Sequence, residues 1–149
     1  MEVRIKYLSD LLGNKVKAPF YATEDAAGMD VSACINEDII IKPGERVKVP
    51  CGFAIEIPKG YAGFLYARSG LSTKFGINLP NSVGVIDSDY RGEVICALTN
   101  NLAEEFVLKA GERIAQLVIT PVLRCTLVKS DELDSTDRGD GGFGSTGRK

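Results

Sequence analysis

Residues 38–49 read DIIIKPGERVKV, two short β-rich runs, Asp38 to Ile41 and Arg46 to Val49, joined by a Pro-Gly turn. Proline presets the backbone of a turn and glycine accepts a positive φ, so the stretch predicts a β-hairpin. Residues 41–47 and 108–114 read IKPGERV and LKAGERI. We interpret this echo as one hairpin turn used twice. A full duplication would require similarity beyond the turn, and none is visible.

Similar β-rich runs recur along the chain between turn signals. They are Val3 to Leu8, Phe53 to Ile57, Ala62 to Ala67, Glu93 to Leu98, Phe106 to Leu108 and Ile114 to Val128. Many short strands with few helical patterns are typical of a sandwich or jelly roll. One short helix is predicted from Ser69, a good N-cap residue, to near Gly76, with Leu71 and Phe75 on one face.

The size and charge of the chain limit what it can bind. Its 149 residues and 44% hydrophobic content suit one domain with one core. A net charge of -2 gives no bulk positive field for a nucleic-acid backbone, so nucleic acid is not an expected partner. No apolar run approaches the roughly 20 residues that span a bilayer, and Met1-Glu2 does not open a signal peptide, so we expect no membrane association and a cytoplasmic location.

Histidine is absent and four cysteines are present. The lack of histidine excludes Ser-His and Cys-His nucleophiles and His-ligated zinc, so any chemistry must use carboxylates or metal-bound water. Cys34, Cys51, Cys96 and Cys125 form no C-x-x-C pair and lie within or beside apolar stretches. We therefore predict buried free thiols.

The end of the chain has a different composition. The apolar pattern stops after Leu133, and residues 138–147 read RGDGGFGSTG. Its glycines let backbone amides approach a phosphate, but Ser145 stands where a Walker A loop has lysine, so we reject a P-loop. We predict a globular domain over residues 1–133 and a mobile glycine-rich arm over residues 134–149. A disordered soluble tail is the open alternative.

Two internal segments carry polar groups suited to a nucleotide. Arg68-Ser69-Gly70 places a guanidinium, a hydroxyl and the amides of a helix start together, which suits an anion or ordinary capping. Residues 81–92, NSVGVIDSDYRG, predict a hairpin with Asp87 and Tyr90 at its rim. Aspartate is ionised at pH 7, so Asp87 could take a proton from water, and turn capping is the alternative.

Two further segments place polar residues in apolar surroundings. Asp30 interrupts an apolar stretch, so its carboxylate is expected to be buried or half-buried and to need donors or a cation. A structural hydrogen bond and a metal role both remain open. Arg113 and Gln116 interrupt a strand and on their own would be solvent-facing.

Together, five segments resemble the ordered motifs of the trimeric dUTPase family, the deoxyuridine 5'-triphosphate nucleotidohydrolases. They are residues 27–33, 68–72, 81–93, 111–117 and 138–147. The resemblance covers almost the whole chain, and the third and fifth motifs are long and unusual. It implies an all-β, jelly-roll (distorted β-barrel) subunit in a homotrimer. The active sites would lie at subunit interfaces, each closed by the arm of a neighbour.

The resemblance also implies the reaction. The substrate would be dUTP, hydrolysed to dUMP and pyrophosphate by water attack on the α-phosphorus, which keeps uracil out of DNA and supplies dUMP for dTMP synthesis. Asp87 would be the catalytic base. The cofactor would be Mg²⁺ (Mg2+), carried on the triphosphate, with Asp30 contributing indirectly through water.

The remaining motif positions would bind substrate. They are Arg68, Ser69, Gly70, Asn81, Gly84, Val85, Ile86, Tyr90, Ile95, Gln116, Arg138, Phe143, Gly144, Ser145 and Thr146. Asn81 and the main chain around Val85, Ile86 and Ile95 would hydrogen-bond the uracil edge. Tyr90 would lie beneath the deoxyribose. The phosphate chain would be held by Arg68, Ser69, Gly70 and Gln116. The arm would close over the γ-phosphate, with Phe143 covering the uracil.

Three other functions each explain part of the sequence. A dCTP deaminase, or a bifunctional deaminase and dUTPase, shares the fold but should lack this arm. A non-catalytic nucleotide-binding regulatory module would not need to retain Asp87 and a complete arm. A capsid-like jelly roll explains the strands but not the five motifs. Zinc-type deaminases are excluded because the H-x-E and P-C-x-x-C elements are missing.

Overall fold

The computed structural model describes residues 1–142, which form twelve strands and one short helix. The elements are β1 Arg4–Tyr7, β2 Phe20–Tyr21, β3 Met29–Ser32, β4 Ile39–Ile41, β5 Arg46–Pro50, β6 Phe53–Glu56, β7 Tyr61–Ala67, α1 Ser69–Phe75, β8 Ile77–Asn78, β9 Val83–Ile86, β10 Ile95–Asn100, β11 Phe106–Leu108 and β12 Arg113–Pro121. The predicted all-β class with one short helix is confirmed.

Across residues 1–142 the strands form four antiparallel sheets that do not close into a single barrel. The largest has the order β2-β3-β12-β7-β9, and the others are β5-β10-β8, β4-β11 and β1-β6. Strand β12 is central to the large sheet, where Gln116 lies opposite Asp30 of β3 on one side and Tyr66 of β7 on the other. Strand β9 forms an edge of this sheet because only β7 pairs with it.

The core lies between the sheets and is filled by side chains from all of them. Phe53, Ile41, Leu98 and Leu117 are fully buried and come from four different sheets. Fully burying a large apolar side chain contributes about 1.5–3 kcal/mol, so these residues hold the sheets together. A buried Asn100 amide supports them by donating to the carbonyls of Ile41 and Glu104 at 2.9 and 2.7 Å.

The repeated turn has the same geometry in both places. The Lys42 N–H donates to Glu45 Oε2 at 2.8 Å, and the Lys109 N–H donates to Glu112 Oε2 at 3.1 Å. The glycine before each glutamate has a φ of +73° or +75°. The prediction that these turns form hairpins is wrong, because the strands on either side do not pair with each other. Instead β4 pairs with β11, β5 with β10, and β12 with β3 and β7.

Several strand boundaries differ from the sequence prediction. The strand predicted from Ile114 to Val128 ends at Pro121, because the following residues have no partner strand within residues 1–142. From Leu123 to Asp140 every residue is exposed. The strands β2, β3 and β8 lie outside the predicted runs, and β9 lies within the segment predicted as a hairpin. Strands of two to four residues show little alternation.

The helix and the cysteines also need corrections. Arg68, and not Ser69, is the N-cap of α1, and no side chain caps it, whereas Gly76 ends the helix in the left-handed conformation as expected. Three cysteines are buried, and burial raises the pKa of the Cys96 thiol to about 12. Cys125 is exposed because it lies in the segment after β12. Within residues 1–142, no helix is long and apolar enough to cross a membrane.

Gly52→Ala should destabilise the fold strongly. Gly52 has a φ of +76°, and a Cβ there would lie 2.4 Å from Cys34 Sγ, whereas Gly44 has a φ of +73° with no atom within 4 Å of its Cβ position. The left-handed backbone alone costs about 1–2 kcal/mol for a residue with a Cβ, and overpacking adds about 1–3 kcal/mol. Urea unfolding of Gly52→Ala and of the control Gly44→Ala should show a larger loss in the free energy of unfolding for Gly52→Ala. Equal losses would contradict the packing assignment.

Candidate functional site

A cavity of about 230 Å³ opens between β9, the start of β10 and the connection between them. It brings together seven of the predicted site residues, namely Asn81, Gly84, Val85, Ile86, Asp87, Tyr90 and Ile95. Asp87 and Tyr90 lie together at its rim, as expected. The predicted hairpin over residues 81–92 is wrong, because β9 pairs with β7 and β10 pairs with β5 and β8, so the two strands beside the turn do not pair with each other. The lining combines apolar side chains with two carboxylates, an amide and a phenol, so it offers both apolar contact and polar groups that can orient a small molecule.

The free edge of β9 gives this cavity its hydrogen-bonding groups. Within the sheet, Val85 lies opposite Phe64 and Gly84 lies opposite Leu65 on β7. The other side of β9 has no partner strand among residues 1–142. An edge strand presents backbone N–H and C=O groups in alternation, so a flat ring with donors and acceptors along one edge can pair with it.

A strained turn precedes β9. The Val83 N–H donates to the Asn81 carbonyl at 2.7 Å, and Ser82 between them has a φ of 64°. An i to i+2 hydrogen bond around a residue with positive φ is the rare and strained form of the γ-turn. Non-glycine residues held in such conformations concentrate at ligand sites, which agrees with the position of Asn81 on the cavity.

Tyr90 is held in place by its own turn. Its hydroxyl donates to the Glu93 carbonyl at 2.9 Å, and its N–H donates to the Asp87 carbonyl at 3.1 Å. A Cβ on Gly92 would lie 2.4 Å from the Tyr90 hydroxyl oxygen, so only glycine leaves room for the ring. The carboxylate of Glu93 accepts a hydrogen bond from the Gly52 N–H at 2.9 Å and fixes the turn to the body of the subunit.

A larger cleft of about 890 Å³ also borders Asp87. Charged side chains of both signs line it, including Arg4, Glu56, Lys59 and Arg91. Asp87 is therefore an exposed residue shared by this cleft and the smaller cavity.

A second group of predicted residues forms an ion-paired cluster. Asp30 is 3% exposed, and its two oxygens lie 2.8 Å from Arg113 Nη1 and 3.6 Å from Arg68 Nε. Arg68 Nη1 also donates to the Arg113 carbonyl at 3.0 Å. The expectation that Asp30 is buried and needs donors or a cation is met by two guanidinium groups. Each carboxylate oxygen faces one of them.

The other predicted residues lie near this cluster or in the arm. Ser69 and Gly70 are exposed at the start of α1, and Gln116 is exposed on β12. Gln116 and Val83 are both opposite Tyr66, which places them on the same sheet face about 10 Å apart. Arg138 is exposed, and its Nε donates to the Gly141 carbonyl at 2.8 Å. The predicted residues Phe143, Gly144, Ser145 and Thr146 lie outside the described residues.

Sequence reasoning missed three residues that shape the site. Gly92 and Glu93 hold Tyr90, and Arg91 binds two carbonyls of the same turn. Arg91 and Gly92 lie within the segment predicted as a turn, but their residue types give no sign of these contacts. No local signal separates a glycine required for a turn from one required for the ring of a neighbour, because both present the same residue type.

Comparisons with known proteins agree with this geometry. The family model described as dUTPase matches residues 14–147. The deoxyuridine 5'-triphosphate nucleotidohydrolase of Desulfitobacterium hafniense is 53% identical over 132 residues, 88% of this chain and 87% of the relative. The enzyme of the same name from Hydrogenobaculum is 48% identical over 145 residues, 97% of this chain and 100% of the relative.

Solved structures of similar shape are also dUTPases. A mutant dUTPase of phage 80alpha has a TM-score of 0.85 and 27% identity, covering 97% of this chain and 98% of that chain. A mutant dUTPase of the Staphylococcus aureus phage phi11, described with a structural Mg(II) ion, has a TM-score of 0.77 and 24% identity, covering 89% and 98%.

Asp30→Asn should weaken both the fold and the placement of Arg68. The change removes the negative charge that faces Arg68 and Arg113, and a hydrogen bond to a charged group contributes about 1.5–3 kcal/mol. Chemical denaturation should show that the free energy of unfolding falls by this amount. The control Asp38→Asn removes a carboxylate of the exposed Lys109 ion pair and should lose far less. Similar losses in both variants would show that the burial of Asp30 adds nothing to the stabilising effect of its ion pairs.

Proposed function

Because this chain belongs to the dUTPase family and hydrolyses dUTP, we propose that Asp87 activates the water that attacks the α-phosphorus, releasing dUMP and pyrophosphate. Structures of this family have a jelly-roll fold, so the predicted jelly roll is confirmed. The alternatives of a dCTP deaminase and a non-catalytic regulatory module are not favoured, because the family model and the named relatives are those of dUTP hydrolases.

The observation that carries the mechanism is the position of Asp87. Its carboxylate is exposed just beyond the end of β9 and borders both the cavity and the larger cleft. None of the five ion pairs among residues 1–142 involves Asp87. A carboxylate that is free of a cationic partner and open to water can accept a proton from the attacking water, which typically accelerates a reaction by about two to four decades.

The free edge of β9 supports uracil as the recognised base. Uracil presents an acceptor, a donor and an acceptor along one edge, and the alternating groups around Val85, Ile86 and Ile95 can pair with that pattern. Cytosine reverses part of the pattern and would leave buried groups unpaired. The carboxamide of Asn81 at the cavity margin would complete the recognition.

Tyr90 supports selection of the deoxyribose. Its ring is fixed by the hydroxyl bond to the Glu93 carbonyl and by contact with Gly92, and it lies at the cavity mouth. A rigid aromatic ring can pack beneath the sugar and leave no space for a 2′-hydroxyl. We therefore propose Tyr90 as the residue that favours deoxyribonucleotides.

The phosphate chain requires cations and donors, which the Arg68 region supplies. Arg68, Ser69, Gly70 and Gln116 would hold the phosphates, and Asp30 would keep Arg68 oriented through its ion pair. In the arm, Arg138 and the residues beyond it would close over the γ-phosphate. The proposed division remains a globular domain over residues 1–133 and a closing arm.

Magnesium fits this site as an ion carried by the substrate. Among residues 1–142 there is no group of three or more Asp, Glu, Cys or His side chains that could form a protein cage. Mg²⁺ usually keeps several waters and binds phosphate oxygens, and when bound it neutralises charge on the triphosphate. A water-mediated contact from Asp30 would share an oxygen that already faces Arg68 or Arg113. Orienting these arginines is therefore the role that the Asp30 geometry supports best.

Two exposed apolar features support a homotrimer. On the outer face of the large sheet, Val118, Phe64 and Val85 lie opposite one another across three strands, and Val85 is 60% exposed. After Pro121 the chain continues with exposed apolar side chains, among them Leu127 at 95%. Contiguous exposed apolar side chains of this kind are typical of a surface that binds another protein chain. Neighbouring subunits would cover it and bring their residues to the cavity beside β9.

Asp87→Asn should lower turnover to a small residual rate while dUTP still binds. The amide cannot accept the proton from water, so kcat should fall by about 10²-fold to 10⁴-fold. Pyrophosphate release with dUTP and Mg²⁺ measures turnover, and isothermal titration measures binding. The control Asp89→Asn changes an exposed carboxylate in the same turn and should retain activity. Unchanged turnover in Asp87→Asn would mean that the base is assigned wrongly.

Phe64→Glu should dissociate the trimer. A charge on the outer sheet face cannot be buried against a neighbour without a partner. Light scattering should give three times the 16.0 kDa chain mass for the native protein and a smaller assembly for Phe64→Glu. The control Ile40→Glu changes a residue that is 54% exposed on β4 and should leave the mass unchanged. A native mass of one chain would contradict the trimer.

A further inference from the structure

The turn that carries Asp87 has few hydrogen bonds of its own. It connects β9 to β10, and across residues 87–90 the only backbone hydrogen bond within the turn joins the Tyr90 N–H to the Asp87 carbonyl at 3.1 Å. Within residues 1–142, the carbonyls of Ser88 and Tyr90 accept no backbone hydrogen bond. A turn with so little internal support could rotate about Asp87 and move its carboxylate.

One side chain binds both of these carbonyls. Arg91 Nη1 donates to the Ser88 carbonyl at 2.7 Å and to the Tyr90 carbonyl at 2.8 Å. Both distances are short, as expected when the donor is charged. The planar guanidinium loses little entropy for each hydrogen bond it makes, so it can hold two carbonyls in a defined relative orientation.

Arg91 also connects the turn to the body of the subunit. Its Nη2 lies 3.6 Å from Glu56 Oε1 at the end of β6, and Arg4 Nη2 of β1 lies 2.7 Å from the other oxygen of Glu56. These ion pairs are exposed, with the Arg91 side chain 53% accessible, so they contribute little to stability. The contact between Arg91 and Glu56 places the guanidinium beside the turn, and Arg4 makes no contact with Arg91 or with the two carbonyls.

We propose that Arg91 is a positioning residue for dUTP hydrolysis. By binding the carbonyls of Ser88 and Tyr90 it fixes the backbone on the C-terminal side of Asp87, and with it the direction of the carboxylate. The inference rests on the proposed role of Asp87 as the base. A displacement of about 1 Å at a reacting group can lower a rate about 100-fold, so this tether affects turnover more than it affects stability.

Arg91→Gln should lower kcat about 10-fold to 100-fold, with KM changed by less than about threefold and the thermal midpoint close to that of the native protein. Arg91→Lys keeps the charge and one donor group and should recover part of the loss. The matched control Arg4→Gln removes a positive charge from the same cleft and a partner of Glu56, but leaves both carbonyl bonds intact, so its kcat should be unchanged. If Arg91→Gln does not fold, Arg91→Lys provides the test.

A double-mutant cycle separates this inference from the assignment of the base. If Arg91 acts through Asp87, Arg91→Gln should cause no further loss of turnover in an Asp87→Asn background. Additive losses, or a native kcat in Arg91→Gln, would overturn the positioning role while the base assignment stands. Native turnover in Asp87→Asn alone would instead overturn the proposed base. A fall in kcat for Arg4→Gln equal to that of Arg91→Gln would show that charge in the cleft matters and the carbonyl bonds do not.

Discussion

The antiparallel ladder that places β12 between β3 and β7 is the interaction on which the rest of the structure depends. It sets Gln116 opposite both Asp30 and Tyr66, and so brings three segments that are distant in sequence onto one sheet face. It also places β7 so that β9 can pair only on one side. The arginines that pair with Asp30 and the open edge of β9 therefore both follow from one central strand.

Two aspartates show how this framework assigns different roles to the same residue type. Asp30 is buried against two guanidinium groups, which compensate the loss of its hydration and leave it suited to orienting Arg68. Asp87 is exposed beyond the end of a strand and borders two cavities. The contrast arises from the surroundings of the two side chains, because the residue type is the same.

The repeated turn shows how local chemistry and sheet pairing combine. Each copy closes with a glutamate that accepts from the lysine N–H three residues before it, a purely local arrangement. The strands before the two turns then pair with each other, with Ile39 opposite Leu108 and Ile41 opposite Phe106. This register relates the two copies by an approximate local twofold. Each turn therefore carries the chain from one sheet to another and does not close a hairpin.

Features that depend on neighbours along the chain could be derived from the amino-acid sequence. The strand Phe106 to Leu108, the end of the helix at Gly76 and the clustering of Asp87 and Tyr90 at one rim follow from turn chemistry and spacing within a few residues. The composition and the five motifs in order were enough to indicate the dUTPase family.

The pairing of the strands, the end of β12 and the partners of Asp30 depend instead on the folded arrangement of the whole chain. A backbone hydrogen bond in a sheet depends on a partner that is far away in sequence, as for Val83–Ile86 with β7. The residues after Pro121 have strand-like composition but no such partner within residues 1–142. Arg91 binds carbonyls that are local in sequence, yet its orientation depends on Glu56 from another sheet. Composition cannot show that contact because it arises from folding in three dimensions.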